Sequence, residues 1–470
     1  EAALAVSSVI TIVPFVEIVL NPELQNLNKI TAFILKIFDK LNINGNYFSF
    51  GILFFLTNLI KALVSLKVLQ IILKIKFRII KSFRMSLLNS SLSSKWKFFS
   101  GIGRGKLMNS LNEELNKISD FFSEIATAIS YIIQICAYLM LPFILNYKIT
   151  LTVIIFTFVL LIPFVFLNKI LLKLGKENIT AGNSVIGLIN ESLQAAKVII
   201  SYGNKNKSLN KIGKQTENYN KTAIRQRLLQ SLSSNAFKPI AILILIITFG
   251  YVGNVKSNLS YLAAIFWSLY SSLPLLAIVL RSNLRLATYF PSLQQYSELK
   301  NRSILFKESY GKEKVSKIIN SIKIKNIYFN YEKKENIIEN LSLEINANKI
   351  TSIVGKSGSG KSTISDILIG LQDIKKGEIF FDDKKLNDLD LNFLREKISL
   401  VPQEPILFYD TIKNNLTWSK TDASENDIID SLKLANAYDF VMKLPKKLET
   451  VVGERGTELS GGERQRIVLA

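Results

Sequence analysis

Residues 355–363 read Gly-Lys-Ser-Gly-Ser-Gly-Lys-Ser-Thr, and this stretch decides how the C-terminal part of the chain folds. It matches the phosphate-binding pattern GxxxxGK[ST] through Gly355, Gly360, Lys361 and Ser362. Glycines in this pattern let backbone N–H groups turn towards phosphate oxygens, the lysine adds a positive charge, and the hydroxyl binds Mg²⁺. The residues therefore predict a nucleotide phosphate site.

The flanking sequence supports this interpretation over a flexible Gly/Ser linker. Lys349–Val354 (KITSIV) predicts a short buried strand, and Ile364–Leu371 predicts the opening of a helix. Linkers do not normally lie between an apolar strand and an apolar helix. The loop is therefore expected to deliver phosphate to a helix N-terminus.

The composition is unusual for a soluble protein, since 48% of the 470 residues are hydrophobic while the formal charge is +22. The basic residues flank apolar runs rather than forming a patch with interleaved aromatic residues, which favours a membrane protein over a nucleic-acid-binding one. The sequence has no histidine and one cysteine, Cys136. A disulfide framework, a Cys/His zinc site and histidine-based catalysis are thereby excluded within it.

Six apolar runs in the first half predict membrane-spanning helices. Glu17 and the Asn21-Pro22 pair are expected to end the first run, which is shorter than the roughly 20 residues of a full span. Only Lys148 separates the third run from the fourth, and only Lys256 separates the fifth from the sixth, so each pair predicts a tight hairpin. The runs cover residues 2–16, 47–66, 125–147, 149–168, 239–255 and 257–280.

Two long basic segments, residues 67–124 and 169–238, keep helical apolar spacing and are predicted to be cytoplasmic stalks. Residues 21–46 and the two hairpin joints are then expected on the opposite, non-cytoplasmic side of the membrane. The stalks are expected to turn near Gly101–Gly105 and Tyr202–Asn206. Glu17 and Lys61 are ionisable residues at membrane depth and are functional candidates, although a lysine near a helix end can simply extend to water.

After Arg281 the character of the sequence changes to that of a soluble α/β domain. The predicted organisation is an all-α polytopic membrane domain over residues 1–284, a helical extension and linker over 285–320, and a P-loop nucleotide domain over 321–470. Short apolar runs predict strands in the last of these, over residues 322–329, 337–345, 377–381 and 398–401.

Three further features accompany the phosphate loop. Tyr331 follows a predicted strand and could stack on an adenine ring, and Gln403 ends another and could reach a metal-bound water or Mg²⁺. Leu459–Arg466 (LSGGERQR) predicts a second anion-binding turn at a helix N-terminus. A single ATP needs only one phosphate cradle, so two cradles on one domain predict that two domains meet head to tail around nucleotide.

Together these motifs closely resemble the nucleotide-binding domain of an ATP-binding cassette (ABC) transporter, and the six runs with long stalks resemble an exporter half. The resemblance covers essentially the whole chain. It implies that Tyr331 is the aromatic residue that contacts adenine, that Gln403 and Ser362 bind Mg²⁺, and that the stalk turns dock on nucleotide domains. The implied ATP-binding set is Gly355, Lys356, Ser357, Gly358, Ser359, Gly360, Lys361, Ser362, Thr363, Ser460, Gly461 and Gly462.

The sequence matches the family at one further motif and departs from the family pattern elsewhere. Gly453–Gly456 (GERG) matches the exporter X-loop, whereas Glu463 stands where many relatives have glutamine. The family's Walker B Asp-Glu pair, in which the glutamate is the general base, follows the signature helix beyond Ala470. Both ends of the sequence look cut. The segment is accordingly expected to bind ATP poorly and hydrolyse it negligibly, with Lys361 and Gln403 as its catalytic residues, while the longer parent is an ATPase.

The expected function is ATP-driven export or flipping by alternating access, in a bacterial plasma membrane with the nucleotide domain in the cytoplasm. The expected partners are the bilayer, a second half-transporter of the same or a different sequence, and a transported lipid or lipid-linked oligosaccharide, with no nucleic acid. Export of peptides or drugs is one alternative, and an ATP-gated channel or regulatory membrane protein is another. The six apolar runs argue against a soluble ABC ATPase.

Overall fold

The computed structural model describes residues 1–20, 27–145, 147–252, 259–308, 311–331 and 337–470. The chain divides into two compact units, Glu1–Glu308 and Ser309–Ala470. The predicted domain boundaries after residues 284 and 320 lie on either side of this division and stay predictions.

A π-helical turn, Ser110–Glu114, joins two helices of the first unit, α5 and α6. In its described part this unit consists of helices α1 to α10, joined by turns and short irregular segments. They are α1 (Ala2–Leu20), α2 (Lys29–Lys40), α3 (Tyr47–Leu92), α4 (Trp96–Ser100), α5 (Arg104–Asn109), α6 (Leu115–Leu145), α7 (Tyr147–Gln194), α8 (Ala196–Ser201), α9 (Lys205–Val252) and α10 (Leu259–Leu305).

Four of these helices are long and apolar enough to cross a membrane, as judged by length and composition within the described residues. The qualifying stretches are Ala2–Val19, Tyr47–Leu92, Gly105–Leu145 and Ala263–Leu305. The two remaining predicted spans, residues 149–168 and 239–255, fall on α7 and α9 in stretches where the structure describes only some of the side chains. Residues 253–255 lie outside the described residues altogether.

One predicted helix break is wrong. Helix α1 continues through Glu17 to Leu20, because a glutamate side chain interrupts no backbone hydrogen bond of a helix. The buried carboxylate of Glu17 accepts hydrogen bonds from Asn28 N (2.9 Å) and from the Thr31 hydroxyl. The joint predicted at Lys148 is displaced: α6 ends at Leu145 and α7 begins at Tyr147, so the two helices are separate and Lys148 lies in the first turn of α7. The predicted break at Asn21-Pro22 and the joint at Lys256 lie outside the described residues.

The stalk turns lie where they were predicted. The chain turns at 101–103 between the short helix α4 and α5, and at 202–204 between the short helix α8 and α9. Helix α6 is joined to α10 by the carboxylate of Glu124, which accepts hydrogen bonds from Arg285 Nη1 at 2.7 Å and from Ser282 Oγ at 2.5 Å. The ion pair is partly buried, so its members compensate each other's loss of hydration.

The second unit begins with a four-stranded antiparallel sheet of order β2-β1-β3-β4. Ile324 of β1 lies opposite both Leu343 of β2 and Ile379 of β3. The predicted strands over 322–329, 337–345 and 377–381 correspond to three of these. The strands are β1 (Ser321–Phe329), β2 (Ile338–Asn346), β3 (Lys376–Phe381) and β4 (Lys384–Lys385).

The helices of this unit complete two hydrophobic cores. Helix α11 packs Ile364 and Ile367 against the sheet, with Ile327, Ile379 and Phe381 among its buried neighbours. The later helices build a second core around side chains that include Ile412, Ile428, Leu432, Val441 and Ile467. The helices are α11 (Lys361–Leu368), α12 (Leu391–Arg395), α13 (Ile412–Leu416), α14 (Glu425–Leu434), α15 (Tyr438–Lys443) and α16 (Gly461–Leu469).

Two predicted strands, Lys349–Val354 and Ile398–Val401, are not strands in the structure. A strand exists only through its ladder, and neither segment is hydrogen-bonded to a neighbouring strand in the described part of the chain. Ile350 and Val354 are 99% and 89% exposed, so these apolar runs are also not buried as predicted. Apolar character alone therefore misidentified them.

Asp382 fastens the start of β1 to the end of β3. Its carboxylate accepts from the backbone N–H groups of Ile319 (2.9 Å), Asn320 (2.7 Å) and Ser321 (3.0 Å). The hydrogen bond from Ile319, followed by those from Asn320 and Ser321, holds the pKa of Asp382 below its usual value despite some burial. Its backbone φ of 54° is a left-handed conformation that Asp and Asn tolerate better than other side chains.

We expect Asp382→Ala to loosen this junction, because it removes three acceptors and places alanine at a positive φ. Hydrogen exchange at the amides of residues 319–321 should accelerate roughly tenfold in the variant. Asp382→Asn keeps one oxygen and tolerates the φ, so it should accelerate exchange less. Because folding lowers the pKa of Asp382, its carboxylate stabilises the folded state at pH values above the ordinary pKa of aspartate. This contribution to the free energy of unfolding is lost as the pH falls through the lowered pKa of the folded state. Equal exchange in all three proteins would contradict the assignment.

Candidate nucleotide site

The phosphate loop is shaped by two left-handed glycines that lead directly into α11. Gly358 and Gly360 have φ values of +80° and +89°. A Cβ added at Gly360 would lie 3.2 Å from Ile337 Cγ2, so both the conformation and the space favour glycine there. Because α11 starts at the next residue, Lys361, its free N–H groups lie at the end of the loop. The predicted loop-to-helix arrangement is therefore present, although Lys349–Val354, directly before the loop, does not form a strand.

The ammonium group of Lys361 lies on the loop itself. Its Nζ donates to the backbone carbonyls of Gly355 at 2.9 Å and Lys356 at 2.8 Å. These contacts hold the positive charge beside the loop amides, where a phosphate would need it. They also satisfy the ammonium when no phosphate is present.

Tyr331 reaches the first turn of α11. Its hydroxyl lies 3.3 Å from Thr363 Oγ1, and its ring meets Phe329 edge to face with centroids 4.9 Å apart. The side chain remains partly exposed. The structure therefore brings a predicted adenine-contacting residue next to a predicted phosphate-binding residue. Their separation along the chain gave no indication of this contact.

Gln403 lies on an irregular, exposed segment rather than at the end of a strand. The described residues contain no group of three or more His, Cys, Asp or Glu side chains that could hold a metal ion. Mg²⁺ commonly uses one or two protein oxygens together with phosphate and water. The hydroxyl of Ser362, in the first turn of α11, fits that coordination, and Gln403 stays a predicted second ligand.

The predicted second cradle is the N-terminus of α16. Ser460 Oγ accepts from Glu463 N at 3.3 Å, while the Glu463 carboxylate accepts from Ser460 N at 2.8 Å, forming a reciprocal cap. The hydrogen bond from the Ser460 N–H lowers the pKa of Glu463. A Cβ added at Gly461 or Gly462 would meet nothing within 4 Å, so this turn is open.

The reciprocal cap gives Glu463 a structural role. Glutamate and glutamine are the two residues that complete such a cap, and the cap holds the signature turn in one conformation. The preceding Gly453–Gly456 segment is a short turn in which Arg455 adopts a φ of 54°. A serine followed three residues later by glutamate was the signal that could have predicted the cap.

The membrane unit holds a cavity of about 470 Å³ between α5, α7 and α10, lined by both polar and apolar side chains. Lys106 and Lys176 line it together with Glu298, which lies 3.8 Å from the Lys106 ammonium. Two further lining residues, Asn183 and Gln295, are joined by a 2.9 Å hydrogen bond. Sequence reasoning missed this site, because its members come from three helices that only the fold brings together.

Lys61, a functional candidate at membrane depth, donates to the hydroxyl of Tyr138 on α6. The backbone carbonyl of the same tyrosine accepts from Ser268 on α10. The lysine is thus engaged in joining helices α3 and α6, which favours a structural role over a solvent-facing one.

Two family models match the chain and together cover most of it. The ABC transporter transmembrane region matches residues 9–275, and the ABC transporter model matches residues 338–470. The second match establishes ATP binding for the domain that contains the phosphate loop.

Similar proteins include ATP-dependent lipid A-core flippases from Photobacterium profundum and Haemophilus influenzae, 26% identical over 400 residues and 28% over 413. Each alignment covers 84% of this chain and 68% of the relative. A Staphylococcus aureus protein named for multidrug export is 27% identical over 410 residues, covering 84% of this chain and 69% of that protein.

The fold is similar to that of a bacterial Atm1-family ABC exporter solved with ATP bound, with a TM-score of 0.79, 20% identity, and coverage of 100% of this chain and 82% of the other. The helical unit thus has an exporter fold, and the unit that carries the phosphate loop has a nucleotide-binding fold. The relatives indicate a multi-pass membrane protein whose nucleotide-binding domain is cytoplasmic and hydrolyses ATP to drive transport. This chain belongs to the ABC transporter family as an exporter-type half-transporter, with one membrane domain and one nucleotide-binding domain on a single polypeptide.

Proposed function

We propose that two such half-transporters, identical or paralogous, form the working exporter and move a lipid or lipid-linked oligosaccharide by alternating access. ATP would bind between the phosphate loop of one subunit and the signature turn at Ser460 of the other. Closure of the nucleotide domains would open the cavity between the two membrane domains to the outside. ATP hydrolysis would then return the exporter to its starting conformation. ATP can shift this equilibrium only by binding the closed dimer more tightly than the open one.

The observation that carries the shared-site proposal is the presence of two separate phosphate cradles in one domain. The loop at Gly355–Thr363 leads into α11, and the open turn at Ser460–Gly462 leads into α16. Each helix N-terminus has unsatisfied N–H groups and a positive dipole end, so each attracts an anion. A second copy supplies the arrangement in which both cradles serve one triphosphate.

Within the site, each proposed residue has a distinct role. Lys361 would neutralise charge on the outer phosphates, and the loop amides would orient them. Ser362 and Gln403 would hold Mg²⁺, which when bound draws negative charge from the phosphate oxygens and orients them. Tyr331 would present its ring to adenine, held in place by Phe329 and Thr363.

The choice of a lipid substrate rests on two supports. Two relatives are named as lipid A-core flippases. The cavity between α5, α7 and α10 offers Lys106 and Lys176 with amide side chains, a lining suited to a phosphorylated headgroup. The relative named for multidrug export has nearly the same identity, so a drug exporter is the second candidate.

The phosphate loop generates the first functional prediction. Lys361→Ala should weaken binding of a fluorescent ATP analogue by roughly 10- to 100-fold, the range expected when a charged hydrogen bond of about 1.5–3 kcal/mol is lost. In the full-length parent protein it should also abolish ATP-dependent transport in proteoliposomes. Lys349→Ala is the matched control, because it removes a lysine outside the motif. Unchanged nucleotide affinity in Lys361→Ala would remove the proposed role.

The signature turn generates a second prediction, which separates nucleotide binding from subunit association. Glu463→Ala opens the reciprocal cap and should weaken ATP-dependent association of the nucleotide domains, whereas Glu463→Gln preserves the cap and should behave nearly as the wild type. Nucleotide affinity measured on separated subunits should be the same in both. Crosslinking of the closed dimer in proteoliposomes measures the difference. Equal crosslinking in the two variants would show that the cap does not support the shared site.

The substrate proposal is tested by reconstituting the full-length parent protein in vesicles that contain labelled lipid-linked oligosaccharide, labelled phospholipid or a cationic drug. ATP-dependent movement of either lipid, absent in Lys361→Ala, is the expected result. Lys106→Gln combined with Lys176→Gln should reduce movement of the phosphorylated lipid and spare the drug. Movement of the drug alone would replace the lipid proposal with the multidrug one and leave the ABC assignment intact.

A further inference from the structure

We propose that α2 is an interfacial membrane-binding helix, with one face held on the membrane domain and another seated in the outer surface of the bilayer. The structure supports this through three stripes of side chains on one twelve-residue helix. The partner it fits is a phospholipid surface, with acyl chains for its apolar stripe and headgroup phosphates for its lysines.

The inner stripe of α2 is fixed to the rest of the membrane unit. Ile34 and Phe38 are buried together with Ile18 of α1 and Phe50 of α3, and the rings of Phe38 and Phe50 lie 4.8 Å apart. Glu17 adds a polar attachment, because its carboxylate accepts from Asn28 N and from the Thr31 hydroxyl at the start of α2. This explains the buried acid in α1. The helix therefore cannot rotate freely to hide its other apolar side chains.

The apolar outer stripe consists of Phe33 and Ile37, which are four residues apart on one side of α2, and of Leu41, which follows directly after the end of the helix at Lys40. They are 66%, 40% and 62% exposed. The lysines at 29, 36 and 40 are also exposed and form a third stripe next to this one at about 100° per residue. An exposed apolar stripe bordered by lysines is the pattern of a helix that lies in a membrane interface.

The position of α2 in the chain places it at the membrane surface. It connects the end of α1, at Leu20, to the beginning of α3, at Tyr47. Both are membrane-spanning candidates, so the connection lies where they leave the bilayer. Tyr47 and Phe48 are exposed at the start of α3, as expected for residues at the headgroup level. The opposite half of α3 carries the basic stalk, which puts α2 on the outer side.

The single cysteine makes a direct test possible. Cys136 is replaced by serine, and a nitroxide is attached to Phe33→Cys or to the matched control Lys36→Cys, in protein reconstituted into phosphatidylcholine/phosphatidylglycerol vesicles. Accessibility to oxygen, which concentrates in acyl chains, is compared with accessibility to a water-soluble nickel chelate. The label at 33 should favour oxygen several-fold more than the label at 36. Equal preference for the nickel chelate at both sites would overturn the proposal.

The same measurement distinguishes the other occupants of this face. A label at 33 that is shielded from both reagents would show that protein, such as a second copy, covers the stripe, and would also overturn the proposal. Glu17→Ala should increase the mobility of the label at 33 by releasing the attachment of α2, while Glu17→Gln, which keeps one acceptor oxygen, should increase it less. Unchanged mobility in both variants would contradict the role assigned to Glu17.

Discussion

Nucleotide binding in this protein depends on backbone N–H groups that are left unsatisfied at helix N-termini. The glycines of the phosphate loop turn the chain into α11 so that these groups face outward, and the ammonium of Lys361 is held beside them by two loop carbonyls. The turn before α16 repeats the same physical device, with Ser460 and Glu463 holding the backbone in place. One domain thus presents two helix N-termini suited to anions, which is why we propose that a pair of subunits shares each triphosphate.

The membrane unit is governed by a different constraint, the cost of placing polar groups away from water. Its ionisable side chains offset that cost by forming hydrogen bonds or ion pairs with neighbouring helices. Glu124 ties α6 to α10 through Arg285, Lys61 ties α3 to α6 through Tyr138, and Glu17 ties α1 to α2. In each case a polar partner on a neighbouring helix satisfies the ionisable group. Helix α2 then extends the same logic to the surface, because its inner side is satisfied by protein and its outer side is suited to lipid.

The fold could be inferred from sequence wherever a local rule applied. Apolar length predicted long membrane helices, basic composition predicted the stalks, and Gly-rich segments marked the stalk turns near 101–103 and 202–204. The same approach failed where the outcome depended on partners far away in the chain. Lys349–Val354 and Ile398–Val401 have the composition of strands, yet neither has a ladder partner within the described residues. Glu17 was expected to end α1, whereas the helix continues to Leu20 and the Glu17 carboxylate accepts hydrogen bonds from the start of α2.

The sequence by itself determined the family and the nucleotide chemistry, because the phosphate loop and the LSGGERQR signature are contiguous motifs whose chemistry resides in adjacent residues. Only the tertiary structure decided how side chains from separate elements meet. It placed the Tyr331 hydroxyl against Thr363, gave Glu463 its capping role in an actual turn, and assembled a lysine-lined cavity from α5, α7 and α10. The physical reason is that hydrogen bonds and cavities depend on distances in space, and helix packing sets those distances between residues that spacing along the chain leaves unrelated.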